Sequence, residues 1–380
     1  MRILSIFGTR PEAVKMAPVV QVLSRTPGIE SKVVVTAQHR QMLDQVLGLF
    51  GIIPDLDLNL MRANQSLAEL TAAIFKHLDP VLSQLHPDWV LVQGDTTTVM
   101  ASALLAYYHR IRVGHVEAGL RTGDKWRPFP EEINRRVAGV VSDLHFAPTE
   151  WSRQNLLREN VPPEKIVVTG NPVIDALQFV AKQPETTEVK TLLTNLGLMG
   201  VKGKKSPRLV MVTAHRRENF GQPIENICTA LGFLAETYKD EVRIVYPVHL
   251  NPHIQEPVYR LLSNVPQITL LPPLDYLPMV HLLKQATLLL TDSGGLQEEA
   301  PGFGVPVLVM RDVTERPEGI EAGTVRLVGT DTQNIINQTR LLLDDPQAYS
   351  VMAHAVNPYG DGHAAQYIVE SLLKFNQNPI

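Results

Sequence analysis

Short apolar runs alternate along the chain with longer segments in which apolar residues recur every three or four positions. In the first half RILSIF is followed by PEAVKMAPVVQVLSR, KVVVTA by RQMLDQVLGLF, and DWVLVQ by TTTVMASALLAYYHR. Runs that are apolar on both faces predict strands of a parallel sheet covered by helices on each side. Further strands are expected at RVGHVE, LHFAPT and KIVVTG. A polar, lysine-containing stretch, GVKGKKSPR, precedes a second series: RLVMVTA, EVRIVYPVH, QITLLPP, ATLLLTDS, VPVLVMR and TVRLVGT, separated by helical patterns such as PIENICTALGFLAETY and YLPMVHLLKQ. Two similar doubly wound α/β domains are therefore expected. The first covers residues 1–170, ending near Thr169-Gly170-Asn171-Pro172, and the second covers 171–361. NPYGDGHAAQYIVESLLKF reads as a glycine-rich turn and a last amphipathic helix, 362–380, of the kind that can return to a first domain.

Composition narrows the picture. At 380 residues the chain is long enough for two cores. Its formal charge of −4, from 35 basic and 39 acidic side chains, carries no bias toward nucleic acid or an anionic membrane. One cysteine, Cys228, lies in the apolar pattern ENICTALGFLA, so no disulfide can form within the chain and a buried, inert thiol is expected. The apolar run at the start turns polar at Gly8, and no stretch is long enough for a membrane span. A soluble, cytoplasmic protein is expected.

In doubly wound sheets ligands meet the carboxyl ends of the strands, and those positions are polar here. Gly8-Thr9-Arg10-Pro11-Glu12 follows the first run, with Lys15 one turn into the helix. Gly94-Asp95-Thr96 follows DWVLVQ, Glu117-Ala118-Gly119 follows RVGHV, and Pro130-Glu131-Glu132 opens another helix. Each residue alone could be a helix-terminal acid or a solvated loop cation. Together Asp95, Glu117 and Glu131, beside Arg10 and Lys15, supply acid/base groups and cationic anchors on one rim.

The second half offers Ala214-His215-Arg216-Arg217-Glu218-Asn219 after one strand and Arg311, Glu315 and Arg316 after another. His249 and His253 have the spacing of helical metal ligands, but Pro252 between them argues against an established helix, and no metal is expected. In LLLTDSGGLQEEA, Ser293-Gly294-Gly295 would bring backbone amides close to an anion such as a phosphate, with glutamates following that can accept hydrogen bonds from sugar hydroxyls. A plain strand-to-helix turn is the competing reading. Neither G-x-G-x-x-G in the first loop nor a Walker motif occurs, which argues against a bound dinucleotide and against P-loop chemistry.

FGTRPEAVKMAP, TAQHRQMLDQVL, GDTTT, GHVEAGLRTGD, PEEINRR, GNPVIDAL, HRREN, PVHLNP, TDSGGLQEEAP, RDVTERPE, AGT and NPYGDG occur in that order. They resemble, from end to end, the motifs of the bacterial non-hydrolysing UDP-N-acetylglucosamine 2-epimerases. The resemblance implies a GT-B-like fold of two Rossmann-like domains facing a central cleft. It also implies interconversion of UDP-N-acetylglucosamine and UDP-N-acetylmannosamine without a cofactor, in a cytoplasmic homodimer serving surface polysaccharide biosynthesis. By residue it implies a catalytic set of Asp95, Glu117, Glu131 and His215. Arg10, Lys15, Leu274, Met279, Ser293, Gly294, Gly295, Glu299 and Arg316 would complete the substrate site. A second, activating UDP-N-acetylglucosamine site would use Gln38, Gln41, Arg217 and His249, although Asn64 stands near where some members place a basic residue.

The chemistry explains these residue types. The C2 hydrogen of the sugar is not acidic, and expelling UDP from C1 builds the positive character that makes it so. At least two acid/base positions are then required; which carboxylate serves which face of C2 stays open. The competing functions are a hydrolysing epimerase releasing N-acetylmannosamine, a GT-B glycosyltransferase, a nucleotide-sugar sensor and a dinucleotide oxidoreductase.

Overall fold

The computed structural model describes residues 1–36, 40–62, 65–199 and 206–377, so Gln38, Asn64 and most of the lysine-containing stretch GVKGKKSPR lie outside the described residues. The chain divides into two compact units, Met1–Ala176 with Tyr359–Ile380, and Leu177–Pro358.

The first unit is built on strands β1 (Arg2–Phe7), β2 (Glu30–Val35), β3 (Leu56–Asp57), β4 (Trp89–Gln93), β5 (Arg112–Val116), β6 (Leu144–Ala147) and β7 (Ile166–Val168). Among the described residues they form one parallel sheet in the order β3-β2-β1-β4-β5-β6-β7. β4 is buried along its whole length, as its unbroken apolar run requires. Each fully buried valine or leucine there contributes about 1.5–3 kcal/mol relative to exposure. β3 had no counterpart in the apolar pattern, because it is two residues long and exposed.

The order reverses direction at β1 and β4, which brings the loops after these strands side by side. The helix Arg10–Arg25 starts where it does because Thr9 and Glu12 form a reciprocal capping box and Pro11 needs no amide partner in the first turn.

The second unit has strands β8 (Arg208–Thr213), β9 (Val242–Pro247), β10 (Ile268–Leu271), β11 (Ala286–Thr291), β12 (Val307–Val309) and β13 (Val325–Leu327), all parallel in the order β10-β9-β8-β11-β12-β13. Each unit is thus a Rossmann-like doubly wound sheet, and the fold class is α/β, GT-B-like. Cys228 is buried in the second core, where burial pushes its thiol up to about 12. Among the described residues no helix is long and apolar enough to cross a membrane.

The division falls inside the helix Pro172–Ala181 rather than at 170, and at 358 rather than 361. Local bonding explains the shift. The Asn171 amide donates to Tyr359 O at 2.7 Å, and Asp175 accepts from the Ala364 and Ala365 amides at 3.2 and 2.9 Å. The last helix, Ala364–Gln377, packs Phe375 edge-on against Trp89 with ring centroids 5.4 Å apart, while the Arg112 guanidinium lies 5.7 Å from the Trp89 ring centre. Gly114 in β5 makes room for side chains of the two neighbouring strands: a side-chain carbon there would lie 2.6 Å from Leu91 and 3.2 Å from Phe146.

Candidate functional site

In the first unit the loops after β1, β4 and β5 converge. Glu12, buried, accepts from the Gly8 and Thr9 amides at 3.1 and 2.7 Å and from the Thr96 hydroxyl at 2.8 Å, joining the first loop to the loop that carries Asp95. Burial raises the Glu12 pKa, with these hydrogen bonds opposing it.

Glu117 follows β5 in the left-handed region, at φ 62°. Its side chain is 5% exposed and receives Lys15 Nζ, Gln93 Nε2 and, at 2.9 Å, Asn171 Nδ2. Three separate segments therefore hold one carboxylate.

Asp95, half-buried, is paired with Arg135 Nη2, and its backbone oxygen accepts from Asn134 Nδ2 at 3.0 Å. Burial raises the pKa of Asp95; Arg135 and Lys15 oppose the rise, and Glu117 adds to it. Glu131 opens the helix Glu131–Val141. Asn134 and Arg135 sit three and four residues on, so Glu131 shares the helix face that is bonded to Asp95. Its neighbour Glu132 is taken up structurally, accepting from the Thr122 and Gly123 amides at 3.1 and 3.3 Å and pairing with Arg135. Asp95, Glu117, Lys15 and the Glu131 face are thus brought together, and Arg10 opens the helix that carries Lys15. Gln93, Arg135 and Asn171 belong to the same constellation. Gln93 and Asn171 carry no mark of this role in the sequence beyond their lying at a strand end and in the GNP turn.

In the second unit the loops after β8 and β11 are adjacent because Thr213 pairs with Thr291. Asp292, fully buried, accepts through Oδ2 from the His215 and Arg216 amides, both at 2.8 Å, and from Asn219 Nδ2 at 2.9 Å. Its Oδ1 faces His215 Nδ1 at 3.2 Å. The His215 ring stacks on His249 with centroids 5.7 Å apart. Burial lowers the pKa of His215; Asp292 opposes this, while Arg216, His249 and Arg311 reinforce it. Burial and the neighbouring arginines thus favour the neutral imidazole over the imidazolium.

Arg316 lies directly over Gly294, where a side-chain carbon would meet its Nη1 at 2.5 Å, so only glycine allows this approach. Arg316 pairs with the buried Glu298 and with Glu315. Burial pushes Glu315 up, but Arg316, Arg311 and Arg216 overcome it and hold the carboxyl at about 2. Ser293 precedes the short helix Gly294–Glu299, whose Glu299 is buried. Leu274 and Met279 pack partly against the core beside β11. Of the residues assigned to a second site, Arg217 is exposed, His249 contacts His215, and Gln41 stands in the helix Arg40–Phe50. His253 stacks on Phe220, and its helix begins at Pro252, so His249 lies outside that helix.

Residues 21–373 match the family model described as UDP-N-acetylglucosamine 2-epimerase. The chain is 55% identical over 372 residues, 98% of each chain, to a UDP-N-acetylglucosamine 2-epimerase of Escherichia coli O157:H7. Among solved structures it resembles the UDP-GlcNAc 2-epimerase of Neisseria meningitidis bound to UDP-GlcNAc, with a TM-score of 0.90 and 50% identity over 98% of this chain and 100% of that one. The Methanocaldococcus jannaschii enzyme in complex with UDP-GlcNAc and UDP has a TM-score of 0.80 and 33% identity over 98% of this chain and 100% of that one.

Proposed function

This chain belongs to the UDP-N-acetylglucosamine 2-epimerase family, and from that premise we propose that it interconverts UDP-N-acetylglucosamine and UDP-N-acetylmannosamine by elimination and re-addition of UDP. The C1–O bond to UDP breaks with its electron pair on the diphosphate. A carboxylate of the first unit takes the C2 proton, and the C1–C2 double bond of 2-acetamidoglucal forms. Return of a proton to the opposite face of C2, and of UDP to C1, gives the epimer. No atom changes oxidation state overall, so the reaction calls for no nicotinamide.

The observation that carries this reading is the pair of carboxylates on neighbouring strand ends. Asp95 is paired with Arg135 and has a raised pKa, and Glu117 is paired with Lys15. Two such groups in unlike environments are what transfer of a proton off one face and onto the other requires. Glu131 belongs to the same acid/base set. The reading assigns the leaving group to the second unit. There Arg316, lying against Gly294, with Ser293 and Gly295, would hold the diphosphate, Glu299 the ribose, and Leu274 and Met279 the uracil. Arg10 and His215 complete the substrate contacts. A homodimer, a cytoplasmic location, supply of surface polysaccharide precursors and an activating second site at Arg217 and His249 follow from the resemblance alone.

Incubation with UDP-N-acetylglucosamine in D₂O, without added cofactor or metal, is expected to give UDP-N-acetylmannosamine carrying deuterium at C2. Predominant release of free N-acetylmannosamine would favour a hydrolysing enzyme, and product with no deuterium at C2 would overturn the elimination.

A further inference from the structure

The two oxygens of Asp292 have different surroundings. Oδ2 accepts three hydrogen bonds, from the His215 and Arg216 amides and Asn219 Nδ2. Oδ1 receives no formed hydrogen bond among the described residues and faces His215 Nδ1 at 3.2 Å. The carboxylate cannot rotate to exchange these oxygens without breaking all three bonds, and its side chain has no exposure through which water could substitute. An ionised carboxylate only accepts.

We propose that Asp292 is a positioning residue that keeps the His215 proton on Nδ1, so that Nε2 presents a lone pair to the substrate.

The surroundings of the ring agree. Arg216 and Arg311 bring positive charge toward it and His249 covers one face, which disfavours a second proton. Asp292 is the carboxylate that opposes them. The arrangement is built by the sheet: β8 delivers His215, neighbouring β11 delivers Asp292, and the Asp292 amide donates to Thr213 O at 3.1 Å, fixing the separation of the two loops. A neutral imidazole with a bare Nε2 accepts a hydrogen bond from a sugar hydroxyl or takes a proton. It does not act as a standing cation beside the diphosphate. The proposal deepens the functional reading above and rests on His215 meeting the substrate.

Asp292→Asn offers a selective test. The Asn carbonyl can still accept the three donors now on Oδ2, but its amide group then points N–H at Nδ1, and the His215 proton must move to Nε2. In protein labelled with ¹⁵N-histidine at pH 8, with the His215 signals assigned by their loss in His215→Asn, the wild type is expected to show a protonated Nδ1 and an unprotonated Nε2. Asp292→Asn is expected to show the reverse, with kcat lowered on the order of 10²–10⁴-fold and UDP affinity within about threefold. Wild-type His215 with its proton on Nε2 would overturn the proposal, and this needs no variant to fold. So would an unchanged tautomer or an unchanged kcat in a folded Asp292→Asn. Failure of the functional reading looks different: His215→Asn would retain full C2 exchange while the wild-type tautomer remained as proposed.

Discussion

Glu117 shows how much depends on single side chains. A carboxylate that is 5% exposed is costly to bury without partners, and here Lys15, Gln93 and Asn171 supply them. Asn171 also donates its backbone amide to Tyr359 O, so the residue that orients Glu117 is fixed by the segment leading to the last helix. Replacing Asn171 by Ala removes one hydrogen bond to a charged group, worth about 1.5–3 kcal/mol. We expect kcat for epimerisation to fall about tenfold or more while UDP binding, measured by calorimetry, changes little; an undiminished kcat would make the contact purely structural. Asp95, Glu117 and Lys15 were identifiable in the sequence by type and by position after apolar runs. Gln93, Asn171 and Asp292 were not, because an amide or an aspartate beside a strand carries no mark of which distant side chain it will meet.

At the scale of elements, the alternation of apolar runs and helical periods located every strand among the described residues except β3, whose two exposed residues have no hydrophobic face to betray them. The unit boundary was less legible, since the helix Pro172–Ala181 is continuous across it. Tertiary bonds to that helix decide which unit its first turns join. Asp175 is the main tie: it caps the helix Ala364–Gln377 through two backbone amides, and burial, opposed by those amides, raises its pKa to about 6. Asp175→Ala leaves both amides without that acceptor and should cost roughly 0.5–2 kcal/mol of stability, seen as a lower urea midpoint. Hydrogen exchange should quicken first in 364–377; uniform exchange across the first unit would contradict this local role.

For the whole molecule, acid stability has a sign that follows from buried histidines. His115 and His145 face each other across β5 and β6, and burial lowers them to about 4 and about 3. The native state holds them neutral, whereas the unfolded chain takes up protons below about 6.5. Their contribution is therefore full above pH 6.5 and is lost as the pH falls toward 4 for His115 and toward 3 for His145, at about 1.4 kcal/mol per pH unit for each. Asp175 acts in the opposite direction between its ordinary pKa of 3.8 and about 6, because the native state then holds a proton that the unfolded chain has released. Comparing wild type with His145→Gln isolates one histidine: the variant's stability should fall less steeply between pH 6.5 and 5. Parallel slopes in urea titrations would refute the assignment.

The order of apolar and polar residues by itself determined two doubly wound domains and a ring of polar residues after their strands, because burial of strands on both faces leaves a pattern readable one segment at a time. The collinear motifs likewise carried the family. Tertiary structure alone decided that Lys15, Gln93 and Asn171 meet on Glu117, that Arg135 holds Asp95, and that Asp292 faces His215. Those partners come from distant parts of the chain and are joined only when parallel strands β1, β4 and β5, or β8 and β11, lie side by side. The displaced pKa values of Asp95 and His215 have the same origin, since desolvation is imposed by everything packed around a group and not by its neighbours in sequence.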